Sequence, residues 1–267
     1  MRREAATIGH KTISYLITGD STPAVRQRPR STIVFLHAFP LQAAMWEPTL
    51  GSLPDVWRGV APDLRWEPGV KMSDLAGDVV DLLDHLGTTQ AAVFGCSLGG
   101  YIVFEMLKSA SRYVSAVGLV STRPGADNEE GRKNRQKMIE QVDRDGVNAI
   151  ADQMVPKLLG ATTQRDRPDL VKQVRSLVVA NTPDRIKAAV TAMMERHDST
   201  PLLAKIDVPA LVVHGAEDTL IPSAEAEGMH RAIRNSQLEL IPGSGHLPNL
   251  EQPGPFDATL AQFLKKL

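Results

Sequence analysis

A chain of 267 residues, divided by the ~150 of a typical domain, gives about 1.8, the length of one large domain or of one domain carrying an elaboration. Hydrophobic residues at 42% and charged residues at 23% are the mixture of an ordinary globular protein and exclude a disordered or fibrous chain. Thirty Lys and Arg against 31 Asp and Glu leave a net charge of −1, without the clustered cations that phosphate neutralisation requires, so nucleic acid is not an expected partner.

Met1 to Gly9 carries two arginines and no following run of seven or more apolar residues, so it does not read as a secretory signal. No stretch of about 18 apolar residues follows anywhere, so a membrane partner is not expected and the reducing cytoplasm is the default compartment. Two β-rich runs, Thr7–Ile8 and Thr12–Thr18, flank Gly9-His10 as a hairpin and lead into a polar linker, Asp20–Arg30. Thr32–Leu36 is almost continuously apolar and β-branched, the pattern of a parallel strand covered on both faces. Beyond a loop come a strand over Val56–Ala61 and a helix over Ser73–Leu86, with Ser73 as its N-cap and Gly87 just past its end. The alternation continues with strand Ala91–Phe94, helix Leu98–Ala110 and strand Val114–Val120, which implies a mostly parallel twisted sheet flanked by helices.

The pattern changes at Thr122. Residues 123–200 offer no strand and read as successive amphipathic helices, among them Pro168–Val179 and a helix opened by Thr182 as N-cap with Pro183 at the first position. This block holds 26 charged residues in 78 and none of the twelve aromatics. The α/β alternation then resumes with strand Ala210–His214, helix Ser223–Ile233, strand Gln237–Ile241 and helix Pro253–Leu267. The expected organisation is a body of residues 1–122 and 201–267 interrupted by a helical cap, 123–200. No Gly-rich phosphate loop, His-Glu-x-x-His pair or calcium-type carboxylate ladder is present, so no metal and no cofactor are expected.

Chemistry concentrates at the ends of the strands. Gly95-Cys96-Ser97-Leu98-Gly99 has the form Gly-x-Ser-x-Gly, and its placement between a strand and a helix matters more than its letters. A serine on such a turn is held in a strained backbone conformation with its hydroxyl clear of the sheet, and its flanking residues must be small because strand and helix cross there. Serine is a poor nucleophile at neutral pH, so a base must lie within reach and a carboxylate must orient the base. Asp218 follows an apolar strand, in Gly215-Ala216-Glu217-Asp218, and His246 stands in a Gly-rich loop past the next. Glu217 is a rival acid, although the Gly-x-x-Asp spacing favours Asp218. His214 precedes the acid in the chain, the wrong order for the base, and His10, His85, His197 and His230 fit solvated or packed side chains. Two backbone N–H donors are needed for the developing oxyanion. One is Leu98, at the helix N-terminus, and the other belongs to the loop His37-Ala38-Phe39-Pro40. Cys96 permits no internal disulfide, and one residue before the serine its side chain should point away from substrate, so it reads as packing.

Taken together, these motifs resemble the α/β-hydrolases of the small esterase, enol-lactonase and perhydrolase (non-haem haloperoxidase) group, over essentially the whole chain. His37-Ala38-Phe39-Pro40 resembles the group's His-Gly-Phe-Pro, which implies Phe39 as the second oxyanion donor. Asp63-Leu64-Arg65 resembles its Asp-x-Arg, Gly95–Gly100 its nucleophile elbow, and the loops of Asp218 and His246 its acid and base loops. Ala38 stands where the group has glycine, and Trp66-Glu67-Pro68 where it commonly has Gly-x-Gly. The resemblance implies a serine esterase acting on a small-molecule ester or lactone. An enol-lactonase of the 3-oxoadipate type and a perhydrolase are alternatives within the group, and a non-catalytic small-molecule receptor is an alternative from another class. A dicarboxylic lactone would need a cation from Arg123 or another cap arginine. Of the cap methionines Met138, Met154, Met193 and Met194, some are expected to face an aliphatic pocket and the others to pack within the cap, with aromatic contacts from Phe39 and Trp46 of the body.

Overall fold

The computed structural model describes residues 1–19 and 31–267, and the linker expected at Asp20–Arg30 lies outside them. In chain order the elements are β1 (Arg2–Ile8), β2 (Lys11–Ile17), β3 (Ser31–Leu36), α1 (Glu47–Ser52), β4 (Trp57–Pro62), α2 (Met72–His85), β5 (Ala91–Cys96), α3 (Leu98–Ser109) and β6 (Val114–Val120). There follow α4 (Glu129–Leu158, broken at Gly146), α5 (Ala161–Asp166), α6 (Pro168–Val179) and α7 (Pro183–Met194). The chain closes with β7 (Ala210–Gly215), α8 (Ser223–Ala232), β8 (Ser236–Ile241), α9 (Pro248–Glu251) and α10 (Pro253–Leu264).

The eight strands form one sheet in the order β1-β2-β4-β3-β5-β6-β7-β8. β1 pairs antiparallel with β2, and β2 with β4; every later pairing is parallel. The central strands β3, β5, β6 and β7 are buried along nearly their whole length, which is why their sequences are apolar without alternation. β1 buries only Ala6, so its charged start, Arg2-Arg3-Glu4, gives no hydrophobic signal and the strand is longer than Thr7–Ile8 implies.

Several local expectations are corrected. The segment after β3 is not a plain loop, since it carries a 3-10 turn at Ala43–Trp46 and then α1. The N-cap of α2 is Lys71, not Ser73. The Asp74 carboxylate accepts the Lys71 amide (2.9 Å) and so moves the helix start two residues upstream. Trp46 does not face a pocket. Fully buried, it stacks on Phe35 (centroids 4.9 Å apart) and Phe256 (6.0 Å), while Phe94 extends the cluster to Phe263, so this aromatic seam joins β3 and β5 to the C-terminal helix. Thr182 does cap α7, its hydroxyl accepting the Arg185 amide (3.3 Å).

Candidate active site

Ser97, Asp218, His246 and the 37–40 loop all follow the C-terminal ends of parallel strands, β5, β7, β8 and β3 respectively, so the topology delivers them to one edge of the sheet. Ser97 has φ 52° and ψ −111°, a left-handed conformation that a non-glycine residue rarely adopts, and it is the one residue of 91–100 that is not buried. The flanking glycines make this turn possible. A Cβ on Gly95 would lie 2.2 Å from the Gly99 carbonyl carbon, and one on Gly99 would lie 2.3 Å from Leu36 O. Strand and helix therefore meet backbone to backbone, as the elbow spacing requires. Behind it, Thr122 Oγ1 donates to Ser97 O (2.7 Å).

Asp218 and His246 are brought together. His246 Nδ1 lies 2.7 Å from Asp218 Oδ2, with the Asp218 carboxylate fully buried and the His246 ring nearly so. The other carboxylate oxygen accepts the amides of Leu220 (2.8 Å) and Ile221 (3.1 Å). Burial opposes ionisation of Asp218, but the charge and hydrogen bond of His246, the Ile221 amide and His214 outweigh it and hold the carboxyl below its usual value. An ionised Asp218 can only accept, so the His246 proton sits on Nδ1 and the Nε2 lone pair is left free. No hydrogen bond joins Ser97 Oγ to His246 in this structure. The two loops nonetheless abut, since Cys96 Sγ is 3.7 Å from His246 O. Cys96 is fully buried, and burial raises its thiol well above the ordinary value, in keeping with packing.

The rival acid is engaged elsewhere. Glu217 accepts Thr162 N (2.8 Å) and Thr162 Oγ1 (2.6 Å), tying the start of α5 to the β7 loop. His214 is buried, with Nε2 2.9 Å from Ile221 O and 3.6 Å from Asp218 Oδ2. Because a carbonyl can only accept, Nε2 carries the proton there, and burial depresses the ring's pKa.

Leu98, the first residue of α3, has an amide with no acceptor within its own helix. Phe39 lies in a tight turn, with Leu41 N donating to Ala38 O (2.8 Å). His37 supports this turn, a role its sequence motif contains but residue chemistry alone did not assign. Its Nε2 accepts the Leu64 amide (3.1 Å), so its proton is on Nδ1, directed at Ala38 O (3.1 Å). Complete burial pushes this imidazole down to about 4, so it is neutral at pH 7. Asp63 completes the frame by accepting the Ala43 amide (2.9 Å). The Asp-x-Arg segment thus meets the 37–43 loop from below.

Two buried features were not foreseen. Glu251, 1% exposed, accepts Gly160 N (2.7 Å) and Leu247 N (3.0 Å), while His246 N donates to Leu158 O (3.1 Å). The sequence signal of Glu251 is a lone carboxyl at the end of the short helix α9, directly after Leu250. The second is Asp127, whose side chain is fully buried among Arg123 (2.7 Å), Arg196 (3.0 Å) and Arg135 (3.0 Å), with Arg196 4.2 Å above the Tyr101 ring. Burial opposes its charge, yet the guanidiniums of Arg196 and Arg135 bring its pKa down to about 2. Arg123 therefore points at Asp127. Of the methionines, Met154 and Met193 are buried and Met138 and Met194 half-buried. Among the described residues no group of three or more His, Cys, Asp or Glu side chains is placed to hold a metal ion, and no helix is long and apolar enough to cross a membrane.

Residues 31–253 match the family described as alpha/beta hydrolase fold. The 3-oxoadipate enol-lactonase 1 of Acinetobacter baylyi is 28% identical over 274 residues, covering 96% of this chain and 94% of that protein. Among solved structures, a thermophilic esterase from Thermogutta terrifontis, with malate bound, superposes with a TM-score of 0.89 at 31% identity, covering 100% of this chain and 99% of that one. The enol-lactonase from Burkholderia xenovorans superposes with a TM-score of 0.85 at 22% identity, over 98% and 100% of the two chains, a likeness of fold.

Proposed function

The chain belongs to the alpha/beta hydrolase fold family, and from that premise we propose that it cleaves a small to medium carboxylic ester or lactone through an acyl-enzyme on Ser97. The observation that carries this reading is the buried Asp218–His246 pair, 2.7 Å apart, at the same sheet edge as a serine held at φ 52°. In the proposed cycle Ser97 Oγ attacks the carbonyl carbon as His246 Nε2 takes its proton. The imidazolium so formed is stabilised by ionised Asp218, which also fixes the tautomer that leaves Nε2 basic. The negative charge moves to the carbonyl oxygen, where the Phe39 and Leu98 amides receive it. His246 then protonates the departing alkoxide, giving the acyl-enzyme and an alcohol. Water, deprotonated by the same nitrogen, attacks the acyl carbon and releases the acid and Ser97. The helices of 123–200 serve in this reading as a cap over the catalytic edge.

A lactone carrying a free carboxylate is a second reading. Three guanidiniums around one buried carboxylate leave an excess of two positive charges beside Tyr101, four residues after Ser97, and the relatives include 3-oxoadipate enol-lactonases and an esterase solved with the dicarboxylate malate. One assay tests both readings. Nitrophenyl and methyl esters of graded acyl length, with and without a terminal carboxylate, are turned over by the protein and by Ser97→Ala. The substitution is expected to lower kcat by about 10⁶-fold, the scale seen when a triad nucleophile is removed. Undiminished turnover overturns the acyl-enzyme. A kcat/KM raised by the terminal carboxylate favours the lactone reading, and one lowered favours a neutral ester.

A further inference from the structure

The helical segment bonds to three of the four loops that carry a proposed catalytic group, all but the Ser97 elbow. Leu158 O accepts from His246 N (3.1 Å), Thr162 meets Glu217 beside Asp218, and Asn181, between α6 and α7, reaches the loop of Phe39. Asn181 Nδ2 is 2.8 Å from Pro40 O, 3.1 Å from Val178 O and 3.3 Å from Leu177 O, and the residue is buried. All three neighbours are carbonyls, so the amide nitrogen and not its oxygen must face them, and its two hydrogens serve Pro40 and the end of α6 together.

The chemistry of the loop makes that contact consequential. In the peptide joining Ala38 to Phe39, the orientation of the Phe39 N–H is tied to that of Ala38 C=O, which the body holds through His37 Nδ1 and Leu41 N. On the far side of Phe39 the next residue is Pro40, which has no N–H, so only its carbonyl is available as an anchor. Among the described residues no body side chain donates to that carbonyl; the donor is Asn181, 141 residues away in sequence. We propose that Asn181 is a positioning residue: from the helical segment it fixes Pro40 O and so holds the Phe39 amide aimed at the oxyanion. The proposal rests on the hydrolase reading for its catalytic consequence but not for the anchoring itself. Gln42, whose Nε2 donates to Leu177 O (3.1 Å), joins the same two segments three residues beyond Phe39 and provides the comparison.

The test uses the full chain with Asn181→Ala, Asn181→Ser and Gln42→Ala, each normalised to active sites titrated with a fluorophosphonate. Three quantities are read: kcat and KM on a nitrophenyl ester, inhibition by a trifluoromethyl ketone that forms a tetrahedral adduct, and amide hydrogen exchange of Leu41. Removing a whole oxyanion donor costs about 10²–10³ in kcat, so loosening one is expected to cost about tenfold. Asn181→Ala should therefore lower kcat about tenfold with KM within twofold, weaken the ketone by a similar factor and speed Leu41 exchange. Asn181→Ser carries the same expectation should the alanine variant fail to accumulate, and Gln42→Ala should leave kcat within twofold. A kcat and ketone affinity unchanged per titrated site, or an equal loss in Gln42→Ala, overturns the proposal, as does unchanged Leu41 exchange. Faster exchange in Asn181→Ala, with no Ser97-dependent turnover even in the parent chain, upholds the anchoring and removes the hydrolase reading instead.

Discussion

Three histidines at the sheet edge each have the role of one ring nitrogen fixed by what its partner is able to donate or accept. Leu64 N–H makes His37 Nε2 an acceptor, Ile221 O makes His214 Nε2 a donor, and Asp218 makes His246 Nδ1 a donor. Replacing Asp218 with asparagine keeps the shape but presents an amide to His246, which favours the wrong tautomer. Asp218→Asn is expected to lower kcat by about 10³–10⁴ with the fold intact, whereas Glu217→Gln, at a carboxylate hydrogen-bonded to Thr162, should leave kcat within a few-fold. Steady-state kinetics on one ester decide it, and an equal loss in both variants would unseat Asp218 as the acid. Ser97, Asp218 and His246 were legible in the sequence as candidates because each follows a strand end within three residues of a glycine. The choice between Asp218 and Glu217 was not settled there, because adjacent carboxylates differ only in which way the loop points them.

At the scale of elements, glycine marks two different constraints. Gly87 follows α2 at φ 65°, with Gly87 N bonded to Asp84 O (3.0 Å) and Thr88 N to Leu83 O (2.8 Å), and a Cβ there would meet nothing within 4 Å. Gly87→Ala is thus expected to cost only the conformational penalty, about 1 kcal/mol, read as a fall of about 2–4 °C in Tm with kcat unchanged. A larger loss, or altered catalysis, would contradict a purely local role. Gly95 differs because its space is filled by the Gly99 backbone, and the same substitution there forces the elbow apart. The body helices were read from periodicity and the buried strands from continuous apolar runs, but the start of α2 and the 3-10 turn before α1 were not. The first is set by the local bond of Asp74 to Lys71 N and the second is held by Asp63, which accepts Ala43 N from 20 residues away; neither leaves a hydrophobic pattern.

Across the whole molecule, folding commits two histidines to neutral, buried positions, and this sets the response to acid. His37 falls from an ordinary 6.5 to about 4, and His214 is lowered in the same direction, by burial in both cases. Between these values the unfolded chain binds protons that the folded one refuses, so stability is full above about pH 6.5 and is lost as pH falls toward 4. For His37 alone the linkage amounts to about 2 kcal/mol at pH 5. Urea midpoints are expected to drop between pH 7.5 and pH 5, and His37→Asn should flatten that slope while lowering stability at pH 7.5. A slope unchanged by the substitution would show that other groups govern it. The sequence by itself determined the sheet's parallel core, the helical character of 123–200 and the residue types at the catalytic edge, because apolar runs, turn glycines and the order of serine, acid and histidine are local signals. Tertiary structure alone decided where the arginines point, that Trp46 belongs to the core, that the Glu251 and Asp127 side chains are buried, and that Asn181 holds Pro40. Those facts depend on groups that folding brings together across as many as 210 residues, from Trp46 to Phe256, and no local pattern carries that distance.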